Sequence, residues 1–249
     1  MDAAAYAFAH GMRDTRATLR SWQRTPRPVV LAWFAGSALA ACALLAGVLA
    51  VAALERGYQQ VLSLQPPFAV GGPGEVLHIF SSNLLVLALH AMACVAGFIA
   101  GSSLPLQAEH KRGLSRVVHR HGGRVAIGFV VCATAFSLCF QAYSIGHTLA
   151  GVSHFLGYSP ALLLVGVLPH AVLELVALFL PLAAWIIASR RGQWSQLLAA
   201  TLVTVAMAVP TLLVAACIEV YVSPHVFLAL THIRFPIVRH LEGWTVVIR

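Results

Sequence analysis

The chain has 249 residues, of which 59% are hydrophobic and only 10% charged, and its mean hydropathy is +0.84. A soluble domain of this length could not cover its surface with so few charges, so that class is excluded. The net charge of +8 comes with neither a reading helix nor a base-stacking motif, which excludes nucleic acid as the partner.

In chain order, the first feature is a basic stretch. Arg13, Arg16, Arg20, Arg24 and Arg27 recur every three or four residues and share one helical face, while Phe8, Met12, Leu19 and Trp22 gather on the other. Residues 1–27 therefore predict an amphipathic helix lying in the cytoplasmic membrane interface. Five apolar runs follow, each of the roughly 20 residues needed to cross about 30 Å of hydrocarbon. They are Pro28 to Leu54, Val76 to Leu104, Val125 to Gly151, Pro160 to Ala188 and Leu197 to Val222. Leu, Ala and Val fill them without the alternation of a barrel strand, so the backbone satisfies itself as helices. Between the first two, the Pro- and Gly-rich "SLQPPFAVGGPGE" reads as an irregular loop. The last segment, residues 223–249, mixes apolar and basic residues around Pro236 and reads as an extracytoplasmic or interfacial tail. The expectation is an all-α integral membrane protein: a basic helix (1–27), a five-span bundle (28–222) and a tail (223–249). The first apolar run is too long for a signal-peptide core and no cleavage is expected.

Basic residues orient the bundle. Five precede the first span, Lys111, Arg112, Arg116, Arg120 and Arg124 lie between the second and third, and Arg190 and Arg191 between the fourth and fifth. The other connections are nearly devoid of Lys and Arg, so a plasma-membrane protein with its N-terminus in the cytoplasm and its C-terminus outside is expected. Cys42, Cys94, Cys132, Cys139 and Cys217 all fall inside spans with no C-x-x-C pair, and read as packing residues.

Polar residues inside the spans stand out against this background. An ionised carboxylate at a span centre costs about 2.5–3.5 kcal/mol, and Glu174 and Glu219 are both within spans. His170 precedes Glu174 by one helical turn. By depth, Glu174 falls near the middle of the fourth span and Glu219 close to the outer surface. His78 and Asn83 of the second span, and Gln141 and His147 of the third, lie in the outer half, and together these predict one polar network. Gly97 and Gly101 form a G-x-x-x-G pair, and Gly166 shares a stripe with His170 and Glu174, so close helix packing is expected at all three.

In order along the chain, "HIFSSNLLVLALHAMACVAGFIAG", "YSIGHTLAGV", "VLPHAVLEL" and "AACIEVYVSP" resemble the stage II sporulation protein M family. The resemblance runs from Phe80 to Pro224 and rests most on Pro169, His170, Glu174, Glu219 and Pro224. Ala171 stands where the family usually has glycine, and Ser82 where it usually has a second asparagine beside Asn83. It implies a polytopic protein working with envelope-remodelling partners, or a component of circular-bacteriocin maturation. Two readings of function stand. In one, His170, Glu174, Asn83 and Glu219 form a structural network in a scaffold that binds other membrane or envelope proteins, or further copies of itself. In the other, His170 and Glu174 ligate a divalent metal such as zinc, with Glu219 or His78 or His147 completing the shell, or Glu174 or Glu219 is the catalytic carboxylate acting as general base, for hydrolysis or transpeptidation of a hydrophobic peptide. A proton-coupled transporter is a third class, against which stands the lack of duplicated halves.

Overall fold

The computed structural model describes residues 3–55, 71–103, 113–231, 237–241 and 244–248. Lys111, Arg112 and most of the loop between the first two spans lie outside them, as do the side chains of Phe8, Arg116, Arg120 and Arg124.

The basic stretch forms helix α1 (Ala3–Arg24), and Pro26, at the first position of a helix where no N–H is needed, opens α2 (Pro26–Leu54). Pro73 likewise opens α3 (Pro73–Phe98), which loosens into a π turn at Ile99–Ser103. Helix α4 (Gly113–Leu156) stops at Gly157, whose positive φ of 72° suits a residue without Cβ and whose N–H closes on the Ser153 carbonyl. Ser159 then caps α5 (Pro160–Arg190), its hydroxyl accepting from the Leu162 N–H. A short 3-10 turn (Trp194–Gln196) leads into α6 (Leu197–Tyr221), and α7 (Ser223–Thr231) follows after a break at Val222. Five of these helices, α2 to α6, are long and apolar enough to cross a membrane. The bundle is all-α, as the composition requires.

Helix α5 is central. Over half of its most apolar stretch is buried, whereas the described buried residues of α4, Ala150 and Ser153 among them, lie toward its C-terminal end. It packs most extensively on α6 and α2, and α4 touches the bundle mainly through α2. Phe179, Leu180, Leu212 and Leu87 lie in the fully buried core, and the small Ala177, Ala208, Ala215 and Ala216 let α5 and α6 approach closely. Pro181 removes an N–H from the α5 ladder, which takes the usual donor from the Ala177 carbonyl, and the Cys94 thiol of α3 donates to the carbonyl of Pro181 itself at 3.1 Å. His90, one turn earlier on α3, lies edge-on to Phe179 at 5.7 Å.

At the other side of the bundle α1 packs against α6, the 3-10 turn and α2. Trp22 meets Trp33 edge to face at 5.1 Å, while Arg13, Arg16, Arg20 and Arg24 stay exposed. Of the apolar side of α1, Leu19 and Trp22 are half-buried, while Met12 is exposed.

Two features differ from the sequence expectation. The segment after Tyr221 does not leave the bundle at once: α7 adds nine residues along α5, burying Ser223, Pro224, Phe227 and Thr231. Tyr158, just before α5, donates its hydroxyl to the Thr231 carbonyl. Beyond it, Ile237–Leu241 and Trp244–Ile248, rich in β-branched residues, pair as an antiparallel hairpin. The glycines also differ in what they admit. Gly97 and Gly101 receive the indoles of Trp185 and Trp194 instead of a second backbone, whereas at Gly166 both the ring and the Cα of Phe227 on α7 come close. A closer backbone approach is at Gly146 of α4, where a Cβ would lie 2.7 Å from the Val48 carbonyl oxygen of α2.

Candidate functional site

The antiparallel packing of α5 and α6 brings Glu219 across from His170 and Glu174. A donor atom of each of the three lies within 4.8 Å of the others, and all three residues are half-buried. Glu219 is deeper than its place near the end of a span suggested, because α7 continues past it by nine residues, about 14 Å at 1.5 Å per residue. The break at Val222 looks in sequence like an exit from the membrane, but Pro224 merely restarts the helix, with the His225 N–H on the Val222 carbonyl.

The surroundings orient this trio. His170 Nδ1 and Ser223 Oγ share a hydrogen bond of 2.6 Å, which leaves Nε2 of the ring for another partner. Asn83 of α3 is buried and interacts through its side chain with Glu174, while its Nδ2 has no partner at hydrogen-bond distance. Glu174 and Glu75 both act electrostatically on Glu219. At this spacing two ionised carboxylates repel by about 3 kcal/mol at an effective dielectric constant near 20. One imidazole and two facing carboxylates therefore make a donor set of the kind that holds a divalent cation, with room for water or substrate at the remaining position.

His170 and Glu219 also form part of the wall of an open cleft of about 410 Å³. The rest is mostly aliphatic, with Val48 of α2, Ile145, Leu149 and Val152 of α4, Leu163 of α5 and Phe227 of α7. Pockets that take small molecules or peptide side chains have this size and this mixture of apolar wall with few polar groups.

The other residues of the expected network are divided. His147 turns to Glu55 at the end of α2, with its Nδ1 2.7 Å from Oε2 and Tyr143 stacked on its ring. Gln141 donates to Ser137 of its own helix at 3.1 Å, and His78 is exposed on α3. Only Asn83 joins the trio. Ser223 and Glu55 were not singled out from sequence. Ser223 follows Glu219 by one turn in "EVYVS" and could have been found by that spacing, whereas nothing local marks Glu55 as the partner of a histidine 92 residues away.

The model of the family Stage II sporulation protein M matches residues 122–224. Over this stretch the chain is stage II sporulation protein M-like. The family segment takes in most of α4, all of α5 and α6 and the start of α7, and so contains His170, Glu174, Glu219 and Ser223. Asn83 and the α3 motif lie before it. No curated protein and no solved structure matches the chain. The chain is a multi-pass membrane protein that is similar to stage II sporulation protein M over residues 122–224.

Proposed function

We propose that this protein is an intramembrane, metal-dependent enzyme acting on peptide bonds, a component of peptide maturation or envelope remodelling in the plasma membrane. The observation that carries the reading is the convergence of His170, Glu174 and Glu219 beside an apolar cleft. His170 and Glu174 would hold a divalent ion such as zinc from α5, with Glu219 facing it from α6. Ser223 fixes the imidazole ring, and Asn83 lies beside the Glu174 carboxylate. A bound ion supplies Lewis acidity to a substrate carbonyl and to water. Glu219, on the cleft wall, accepts the proton of the water adding to that carbonyl and passes it to the leaving amine as the C–N bond breaks; an amine nucleophile in place of water makes the same step a transpeptidation.

A second reading, a scaffold for envelope proteins, is favoured by the two bonds that tie separate helices, His170 to Ser223 and His147 to Glu55. The distribution of basic residues supports a cytoplasmic N-terminus for either reading, with the cleft toward the outer leaflet.

Elemental analysis of the detergent-purified protein separates the two. Near-stoichiometric metal in the wild type, lost in His170→Ala and Glu174→Gln variants that remain monodisperse, is expected. A well-folded wild type without metal would leave the scaffold.

A further inference from the structure

Resting on the reading of the trio as a reaction centre, we propose that the 410 Å³ cleft is its substrate subsite and that the occupant is an extended, uncharged, aliphatic stretch of a membrane-inserted polypeptide. Three observations carry this. The first is continuity, since His170 and Glu219 are wall residues of the cleft, so a chain lying in it passes directly over the donor atoms. The second is access. The cleft is open, and α4 and α5, which line much of it, contact each other only sparsely, which leaves a gap between two apolar helices for a chain to enter. The third is the chemistry of the wall. Among the described residues Glu219 is the only acidic side chain on it and no Lys or Arg lines it, so an acidic side chain finds no cationic partner there and the rest of the wall favours apolar groups.

Hydroxyl groups distinguish a peptide from a lipid tail. An extended backbone inside hydrocarbon must find hydrogen-bond partners, whereas an acyl chain gains nothing from them. Ser144 and Thr148, one turn apart on α4, lie on this wall together with Ser223 and His170. The Thr148 hydroxyl donates to the Ser144 carbonyl and Ser223 is bonded to His170, but each hydroxyl oxygen keeps a lone pair that can accept from a substrate backbone N–H along an otherwise aliphatic groove.

The probe is a lysine-flanked leucine–alanine membrane peptide carrying a central photoreactive leucine, reconstituted with the full-length protein in phosphatidylcholine–phosphatidylglycerol vesicles. A photoreactive phosphatidylcholine serves in the parallel arm, and cross-linked residues are mapped by mass spectrometry. Peptide adducts on the α4 and α5 walls are expected. They should fall about tenfold in Thr148→Trp and in Val152→Trp, which fill the groove without touching a donor atom, while metal content is unchanged. Adducts that persist undiminished in both variants, or a groove labelled by the lipid probe and not by the peptide, overturn the proposal. Metal in the wild type with no peptide adducts sinks the subsite alone; peptide adducts in a wild type without metal sink the reaction centre and leave a peptide-docking groove.

Discussion

Ser223 is the residue whose removal tests the site most cleanly, because it touches His170 without belonging to the donor set. Loss of a hydrogen bond that orients a metal-binding histidine typically lowers affinity about 10- to 100-fold. Ser223→Ala is therefore expected to weaken zinc by that factor, read by competition with a chromophoric chelator, with the melting temperature little changed. An unchanged affinity would show that the ring needs no such support. The Glu55–His147 pair belongs to a different class. Both side chains are about a quarter to a third exposed, and ion pairs so placed contribute about 0–1 kcal/mol. Glu55→Gln should accordingly lower stability by less than about 1 kcal/mol and leave metal content alone.

Helix contacts in this bundle differ in what they can give. At Gly146 the neighbour is the backbone of α2, which cannot swing aside, and at Gly97 it is the indole of Trp185 with the Leu197 side chain, which can. Gly146→Val is thus expected to cost about 1–3 kcal/mol or more by overpacking, and Gly97→Ala less, in thermal unfolding in detergent. The reverse order would mean that α2 and α4 are not tightly apposed. The α5–α6 contact is of another kind again, since both helices bury alanines, Ala177 on one and Ala208 and Ala215 on the other, and it is this contact that sets Glu219 opposite Glu174.

Across the whole molecule, α4 presents its apolar surface outward while α5 is enclosed. Thiols report that asymmetry: Cys132 and Cys139 on α4 and Cys42 on α2 are exposed, and Cys94 is fully buried. In detergent, N-ethylmaleimide should modify the first three and spare Cys94 until the protein unfolds, and mass spectrometry after limited reaction would reveal any other order. Reporter fusions to the N-terminus should be active on the cytoplasmic side; activity outside would reverse the bundle and place the cleft in the inner leaflet.

Membrane character and the five helices long and apolar enough to span were legible in the sequence, because a span must be apolar for a set length and that constraint is local. The candidacy of His170, Glu174 and Glu219 was legible too, since ionisable groups are rare enough in lipid to mark themselves. What only the tertiary structure decided was partnership. The depth of Glu219 depends on α7 continuing along α5, the turn of His147 to Glu55 on how α2 and α4 pack, and the fate of the Gly97 and Gly101 pair on two tryptophans from other elements. Each is a contact between residues far apart in the chain, for which periodicity and hydropathy carry no signal.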